Sequence, residues 1–533
     1  METRALLAFL ISVAILFGYQ MFFAPPPQPV VPAAVEGTGA SVPGAGPASP
    51  ATVAAAPSPE PAAQPVPDEK TIAIDTDLYR AVFSSVGGRL KHFELKKHRL
   101  STERDSPPLD MVVSDSLLPL GLYWMEQSGR TDSDAAISYD IRADAAAVDA
   151  GQSATIVMTG RARGGAAVTK TITVHGDSYV LDVDAKIEGV AGPLGLSWAR
   201  SIPAETSSQV AGIEGPAAYV DATLHSNAIK TITQPLVVQG LTDWAGYADH
   251  YFLAAYYPEQ PRSLRFVGAA SAASGEVILW DDQANGAVAY HLFVGPKKIK
   301  LLGALGHNLH EAIGLGRFAF IARPLLELLI LLHRVTGNYG WSIVLLTVGI
   351  RLIFYPVNKR QLQAMKAMQR VQPELKRIQE KYKDDRERLN KEMIEVYRRH
   401  KVNPLSGCLP MLVQLPVFLG LYNALMQAIE LRHAPFMGWI HDLSQPDRLG
   451  AWPVPFVQPP GIPVLTLLMG ASMVIQQRMT PSTADPVQQR MMMFLPVVFT
   501  VMFINFPAGL VLYWLSNNVL SIAQQQLMAR AKS

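Results

Sequence analysis

The chain has 533 residues, of which 49% are apolar and only 17% are charged, whereas about 25% are charged in an ordinary soluble protein. Lys and Arg (46) nearly balance Asp and Glu (44), so net charge neither favours nor opposes a nucleic-acid partner, and a single cysteine excludes any intramolecular disulfide. Apolar residues are concentrated at the two ends of the chain, which excludes a wholly soluble enzyme.

The first 23 residues are predicted to form an uncleaved membrane anchor. Leu6 to Phe23 is an uncharged stretch of 18 residues, nearly long enough to span a bilayer core of about 30 Å. A cleavable signal peptide is the alternative, but the stretch ends in the bulky Met21-Phe22-Phe23 and runs into Pro25-Pro26-Pro27, which makes a poor cleavage site.

Residues 24–69 are predicted to be a disordered tether, because they contain 13 prolines among small residues and cannot bury a core. From 70 to 305 the hydrophobic period becomes two, as in Thr71-Ile72-Ala73-Ile74 and Thr171-Ile172-Thr173-Val174. This period predicts one large all-β sandwich domain outside the membrane.

The predicted β-domain carries no pattern typical of catalysis or of a cofactor. It lacks a nucleophile motif, a metal-spaced set of His and Cys, and a Gly-rich phosphate loop. His307 and His310 are three residues apart and could share a metal, but no third ligand is near them in the sequence, and surface histidines are the favoured interpretation. No metal and no cofactor are predicted.

Residues 306–336 are predicted to contain an amphipathic helix that lies in the membrane interface. Between Arg317 and Arg334 the apolar residues favour one side, and Arg323 and Glu327 interrupt the middle. A further membrane span is the alternative, and those two charges oppose it.

Residues 337–530 are predicted to hold five more spans, which gives six with the anchor. The last three have apolar stretches of only about 16 residues, or roughly 24 Å of helix, and therefore predict either core helices or a locally thinned bilayer. The five predicted spans are about 341–357, 408–429, 462–477, 491–506 and 508–526.

The loop 358–403 is predicted to be a helical hairpin in the cytosol. Its apolar residues recur at helical spacing, and Lys383-Asp384-Asp385 predicts a turn. Residues 358–401 contain 14 Lys or Arg and 7 Asp or Glu, a net charge of 14 − 7 = +7, which favours the cytosolic side. Both termini are then cytosolic as well. Contact with a ribosome through this hairpin and the C-terminal tail is a secondary hypothesis, and sequence-specific nucleic-acid binding is not predicted.

Arg351 is a charged residue inside the second predicted span. Such a side chain costs at least about 2.5–3.5 kcal/mol if it faces lipid, although it could extend to the cytosolic interface instead. No acidic residue lies in any predicted span, so water is expected to reach Arg351 in a groove that opens to the cytosol. The candidate groove residues are Arg351, Thr347, Gln414, Asn505 and Asn517.

Three segments in register resemble the YidC/Oxa/Alb family of membrane protein insertases. Residues of about 310–530 resemble the insertase core of this family, and the anchor, tether and β-domain resemble the extension found in its Gram-negative members. The segments are Gly337–Ile343 with Arg351 and Tyr355-Pro356, then Asn403–Pro410 with Gln414, Pro416 and Phe418, and finally Phe506–Trp514.

The resemblance implies a protein that inserts and folds nascent membrane proteins in the bacterial inner membrane, alone or beside the Sec translocon, without enzymatic activity. It places residues of about 24–305 in the periplasm and the lipid bilayer among the partners. It also implies an apolar slide for the nascent segment, formed by Leu415, Phe418, Met502, Tyr513 and Trp514.

Two other classes of protein are alternatives. A secondary transporter or channel could use Arg351 to bind an anionic solute, but the sequence shows no repeat between its halves. A scaffold could use the β-domain to recruit envelope partners.

Overall fold

The computed structural model describes residues 69–113, 117–126, 129–201, 214–227, 234–270, 274–382, 385–400, 402, 409–453, 457, 459–479 and 486–530. The predicted anchor 1–23, the tether apart from its last residue, and the motif residues 403–408 lie outside the described residues.

Residues 71–296 form β-strands, as their period of two predicts. Alternation of buried and exposed side chains is regular in β10, where every second residue is buried. The strands are β1 Thr71–Thr76, β2 Tyr79–Ser84, β3 Arg89–Arg99, β4 Pro108–Asp110, β5 Gly121–Met125, β6 Thr131–Ser133, β7 Asp140–Ala143, β8 Ala147–Val148, β9 Ser153–Arg161, β10 Ala167–His175, β11 Val180–Ile187, β12 Leu194–Ser201, β13 Gly215–Val220, β14 Thr223–Ser226, β15 Leu236–Ala248, β16 Phe252–Tyr257, β17 Arg262–Ala270, β18 Ser274–Asp281 and β19 Ala287–Pro296.

These strands form two sheets with a common core, which confirms the predicted β-sandwich. The smaller sheet has the order β4-β3-β2-β1-β8, with β8 parallel to β1. The larger sheet has the order β6-β5-β12-β18-β17-β15-β16-β19-β11-β10-β9-β7, and β13 joins it through β15. Phe83 and Phe93 of the smaller sheet and Trp198, Tyr256 and Phe293 of the larger one are fully buried in this core.

A buried ionic cluster connects the two sheets. Lys170 of β10 is fully buried, and its Nζ donates hydrogen bonds to Leu120 O (2.6 Å) and Gly87 O (3.0 Å) and pairs with the carboxylate of Asp134. Asp134 also pairs with Arg89, whose Nη2 lies 3.3 Å from Oδ1. Every charge in the cluster therefore has an opposite charge beside it, as buried charges require.

After the strands the chain is helical. The helices are α1 Ile299–Leu305, α2 Ala319–Thr336, α3 Tyr339–Ile353, α4 Tyr355–Lys381, α5 Arg386–Arg399, α6 Leu409–Gln427, α7 Val464–Met479, α8 Pro486–Phe503 and α9 Ala508–Arg530, with short 3₁₀ turns at Leu309–Ile313, Gly316–Phe318 and Ile429–Leu431. No helix in the described part of the chain combines the length and the apolar character needed to cross a membrane. The number of spans stays a prediction.

The predicted second span ends earlier than expected. Its helix, α3, stops at Ile353, and the chain turns at Phe354 (φ −84°, ψ 2°) before α4 begins with Pro356 in its first turn. A proline is tolerated there because the first N–H groups of a helix have no intrahelical partner. Arg351 consequently lies in the last turn of α3, rather than two turns from the end of a helix that reaches residue 357.

Helices α4 and α5 pack against each other as a hairpin. Val371 and Leu375 of α4 and Val396 of α5 are buried between them, and Asp385 begins α5 by accepting a hydrogen bond from Arg388 N (3.1 Å). Met368, Ile378, Met393 and Tyr397 surround this small core. The apolar spacing in the sequence predicts most of these contacts.

Helix α2 packs on one side only. Ala322, Leu326 and Leu329 are buried, whereas Phe320 and Val335 on other sides are 74% and 83% exposed. Because the exposed Phe320 and Val335 are apolar, the amphipathic helix that residues 306–336 are predicted to place in the membrane interface stays a prediction.

Candidate functional site: the surroundings of Arg351 and the aromatic cluster of Trp514

Arg351 is held by neutral oxygen atoms of helix α9. Its Nε donates to Asn517 Oδ1 (2.8 Å), and its Nη2 donates to Asn517 O (3.0 Å) and to the hydroxyl of Ser521. The side chain is half-buried. These hydrogen bonds stabilise the guanidinium without cancelling its positive charge. The protein therefore supplies several of the acceptors of Arg351, and the expectation that water also reaches it in a groove stays a prediction.

A polar face of α9 continues from Arg351 toward the C-terminal end of this helix. Asn517, Ser521, Gln524 and Gln525 are spaced at i, i+4, i+7 and i+8, which places them on one side of a helix. Gln524 Nε2 and Gln525 Oε1 are buried without a hydrogen-bond partner among the described residues, as is Asn358 Nδ2 of α4. Because buried polar atoms are nearly always hydrogen-bonded, these positions favour contact with water.

None of the remaining groove candidates has a hydrogen bond to Arg351 among the described residues. Thr347 is buried, and its hydroxyl donates to Ile343 O (2.7 Å) one turn earlier in α3. Gln414 is half-buried on α6. Asn505 precedes α9 and accepts a hydrogen bond from Arg448 Nη2 (2.9 Å). The structure does not bring Asn505 to Arg351, because Asn517 lies nine residues into α9, or roughly 14 Å of helix rise from its start.

Asn505 instead contacts the loop that follows α6, which the structure describes at residues 428–453, 457 and 459–463 and which lies against one end of the helices. Arg448 also donates to Ile504 O (3.0 Å), and the buried Asp447 accepts hydrogen bonds from Leu465 N (2.7 Å) and the Thr466 hydroxyl (3.2 Å) at the start of α7. The backbone carbonyls of this loop at positions 443 and 445 accept from the first N–H groups of α9. These bonds fasten the loop to α7, α8 and α9.

Trp514 of α9 is the centre of an aromatic cluster that joins α6 to α8. Its ring centroid lies 5.0 Å from that of Phe418 on α6, and 4.9 and 5.8 Å from those of Phe503 and Phe499 on α8. Tyr513 is buried and stacks on Phe418 at 6.4 Å. The structure thus brings together three of the five predicted slide residues.

The other two slide residues are less buried than Tyr513. Met502 of α8 is half-buried against the core, and Leu415 of α6 is 49% exposed. Helix α8 presents a continuous apolar surface outward. Its exposed members are Met493, Phe494, Leu495, Val497, Val498 and Val501. An exposed apolar surface of this kind marks contact with lipid or with an apolar partner.

Sequence reasoning missed Ser521, Phe499 and Phe503. Ser521 could have been found because it lies four residues after Asn517, on the same side of the helix. Phe499 and Phe503 have the same spacing in α8. Their contact with Trp514 depends on how the helices pack, and no local pattern contains that information.

The two histidines considered as metal ligands have other contacts. The ring of His307 packs on Tyr257 with centroids 4.9 Å apart, and His310 Nε2 lies 3.2 Å from Glu311 Oε1. Within the described parts of the chain, no three His, Cys, Asp or Glu side chains are placed to hold a metal ion.

Comparison with known proteins gives matches over both parts of the chain. The family described as "60Kd inner membrane protein" matches residues 331–533, and the one described as "YidC periplasmic domain" matches residues 71–328. The membrane protein insertase YidC of Pelobacter propionicus is 41% identical over 98% of both chains. That of Geobacter metallireducens is 39% identical over 100% of this chain and 99% of its own.

Two solved structures are also similar. A crystal structure of an active YidC insertase is 19% identical, covers 86% of this chain and 93% of its own, and has a TM-score of 0.36. YidC from Thermotoga maritima is 14% identical, covers 85% of this chain and 99% of its own, and has a TM-score of 0.30.

Proposed function

This chain belongs to the YidC family of membrane protein insertases, and from that premise we propose that it inserts and folds nascent proteins of the bacterial inner membrane. The family is not enzymatic. The mechanism therefore has to provide a path for a polypeptide and not a chemical reaction. The observation that best supports the mechanism is that Arg351, a charged side chain, is hydrogen-bonded to the neutral groups of Asn517 and Ser521.

The proposed topology has six spans with both termini in the cytosol. The α4–α5 hairpin is cytosolic because residues 358–401 have a net charge of 14 − 7 = +7. The loop 428–463 contains two arginines and no lysine, which favours the periplasmic side. The β-domain, residues 70–305, is periplasmic and joined to the anchor by the tether.

The polar segment of a nascent protein enters the groove around Arg351 from the cytosol. In this topology Arg351, Ser521 and Gln525 lie toward the cytosolic ends of α3 and α9. The guanidinium is a full positive charge in surroundings of low dielectric constant, so it attracts acidic residues in the translocating segment more strongly than it would in water. Its hydrogen bonds to Asn517 and Ser521 fix its position.

The apolar segment of the nascent protein then moves along α6 and α8 into lipid. Phe418 of α6 and Phe503 of α8 both contact Trp514, which supports this path, and Leu415 and Met502 are close to them in the sequence. The exposed apolar surface of α8 continues from them. Burial of the segment in lipid drives this step, at about 25 cal/mol for each Å² removed from water.

Short helices reduce the barrier that the polar segment must cross. Helix α3 has 15 residues and α7 has 16, which correspond to roughly 22 and 24 Å of helix, less than the usual hydrocarbon thickness of about 30 Å. The helices of the other two spans predicted to be short are longer, with 18 residues in α8 and 23 in α9. A bilayer that thins to match them shortens the apolar path. No observation favours a transporter, and the loop bonded to α7, α8 and α9 covers the periplasmic end of the path.

The role of Arg351 is tested by reconstituting the full chain in proteoliposomes with a small single-span substrate whose translocated segment is acidic. Arg351→Ala should reduce insertion about tenfold, because steering by a charge changes association by one to three decades. Arg351→Lys should retain most activity, since it keeps the charge. Arg334→Ala, an exposed arginine on α2, is the matched control. Wild-type insertion by Arg351→Ala would falsify the groove mechanism.

The slide is tested by site-specific crosslinking to a stalled nascent membrane protein. Photoreactive residues at 418 and 502 should crosslink to the apolar segment. A residue at 335, which is 83% exposed near the C-terminal end of α2, should label lipid instead. Equal labelling of the nascent chain from all three positions would contradict a defined path.

We further propose that substrates arrive either from the Sec translocon or directly from a ribosome at the α4–α5 hairpin. The hairpin's excess of positive charge supports the second route, because ribosomal RNA is polyanionic. Deletion of residues 70–300 separates an insertase from a periplasmic scaffold. The insertase should keep inserting small substrates, whereas a scaffold should lose function.

A further inference from the structure

A basic cavity lies where the β-domain meets the loop that follows α6. It has a volume of about 700 Å³, within the usual range of ligand sites. One wall is the end of β3 and the turn after it, residues 96–103, and the other wall is formed by residues 432–441. The cavity is separate from the groove of Arg351 and does not depend on the insertion mechanism.

The walls carry more positive than negative charge. Lys96, Lys97, Arg99 and Arg432 line the cavity, against the single carboxylate of Glu103. Lys96 pairs with Asp75 and is therefore neutralised. The guanidinium of Arg99 donates to two backbone carbonyls, at 2.9 and 3.1 Å. Three cations thus remain on the cavity wall beside the one lining carboxylate of Glu103, and Asp442 and Asp249 behind the wall also act on Arg432.

Arg432 holds the two walls together and keeps its charge. Its Nη2 donates to Arg99 O (2.8 Å) and Leu100 O (3.2 Å), and its guanidinium carbon lies 5.6 Å from the centre of the Phe252 ring. Carbonyls and an aromatic face are neutral partners, so they position the guanidinium without cancelling its charge.

His98 lines the cavity and adds no charge to it. Its imidazole lines the cavity, and Nε2 is buried without a hydrogen-bond partner among the described residues. Burial, and then the nearby charges of Lys298, Arg432 and His433, lower the pKa of His98 to about 4. The imidazole is therefore neutral at physiological pH. An anion in the cavity would relieve the repulsion among the surrounding cations.

The apolar residues beside the cavity indicate where it lies relative to the membrane. Trp341, at the start of α3, is 50% exposed and packs edge-on against Phe436 at 5.5 Å, and Met437 is 57% exposed. Tryptophan at a helix end is typical of the membrane–water interface. In the proposed topology this is the periplasmic interface, at the level of the lipid phosphates.

We propose that this cavity binds the phosphate of an anionic phospholipid from the periplasmic leaflet. Arg432 and Arg99 offer the planar donor groups that suit phosphate oxygens, and Lys97 adds a mobile charge. The acyl chains would lie against Trp341 and Met437. The lipid would link the β-domain to the helical region at their junction.

The test is native mass spectrometry of the full-length protein in detergent, titrated with phosphatidylglycerol or phosphatidylcholine. Wild type should bind phosphatidylglycerol more tightly. Lys97→Gln should weaken that binding about fivefold, the effect of one cation near anionic lipid. Arg432→Gln should weaken it at least as much. Lys300→Gln, an exposed lysine of α1 outside the cavity, should leave it unchanged.

Lys97→Gln is the decisive variant, because Lys97 is exposed and its loss cannot loosen the contact that Arg432 makes. Unchanged phosphatidylglycerol binding by Lys97→Gln, or an equal loss in Lys300→Gln, overturns the proposal. Inorganic phosphate distinguishes the source of the phosphate group. It should not displace the lipid at millimolar concentration. Displacement by inorganic phosphate would show that the cavity binds free phosphate, and it would overturn the proposal of a bound lipid.

Discussion

The β-domain and the helical region accommodate their buried cations in opposite ways. Lys170 is fully buried in the β-domain and paired with Asp134, which also pairs with Arg89. Arg351 is only half-buried and is bonded to the neutral groups of Asn517 and Ser521.

The difference follows from what each region has to do. A buried cation that lies against a carboxylate has most of its field cancelled nearby, and it serves the structure that surrounds it. A charge held by neutral hydrogen bonds is fixed in place but still attracts anions. The first arrangement connects two sheets, and the second suits a binding groove.

The largest expected effect comes from Asp134→Asn, which leaves two buried cations without their carboxylate. The β-domain should lose about 3 to 5 kcal/mol of unfolding free energy, the typical cost of breaking a buried ion pair. Urea denaturation of the full chain followed by tryptophan fluorescence measures it. Asp140→Asn removes an exposed partner of Arg142 and should cost under about 1 kcal/mol. Similar losses in both variants would show that the cluster is not structurally important.

The next largest effect is a dependence of β-domain stability on pH, which comes from a buried lysine. Arg351 should not produce such an effect, because an arginine stays charged over this pH range. Lys297 is fully buried, and burial lowers its pKa to about 8, against 10.5 for a free lysine. Between these values the unfolded chain binds more protons than the folded one, so stability rises with pH. From pH 7 to 9.5 Lys297 should contribute about 2 kcal/mol.

Urea denaturation at pH 7 and 9.5 checks this rise, and Lys297→Met should reduce it. The measurement stays below pH 10 because the half-buried Tyr251 and the buried Tyr257, whose pKa values burial raises to about 12, then begin to oppose the trend. An identical rise in Lys297→Met would assign the pH dependence to other groups.

The smallest and sharpest comparison uses two neighbours on α9. Asn518 is buried, and its Nδ2 donates to Ser472 Oγ (3.0 Å) on α7, so Asn518→Ala should cost about 1 to 3 kcal/mol by leaving a buried hydroxyl with one partner fewer. Asn517→Ala frees a half-buried guanidinium that water can reach. Asn517→Ala should therefore lower the free energy of unfolding less than Asn518→Ala does, and it should reduce insertion more. The opposite ranking in denaturation and proteoliposome assays would mean that Arg351 is a structural residue.

Much of the architecture follows from local patterns. The period of two between residues 70 and 305 predicted the sandwich, and the spacing of Leu375 and Val396 predicted the packing of α4 on α5. The strand order could not be predicted. Strands distant in the sequence, such as β5 and β12, pair through backbone hydrogen bonds that any sequence can make. The early end of α3 at Ile353 is a local effect that Pro356 could have indicated.

The sequence by itself determined that the chain has a β-domain and a helical region, that a cation stands at position 351, and which family the chain resembles. These features follow from hydropathy, charge and motifs, which are local properties. Only the tertiary structure decided which groups meet that cation. It placed Asn517 and Ser521 on Arg351 and moved Asn505 to Arg448. The reason is that helix packing fixes which faces meet, and residues equally polar in the sequence differ in the side on which they lie. The basic cavity likewise exists only where two distant segments, 96–103 and 432–441, come together.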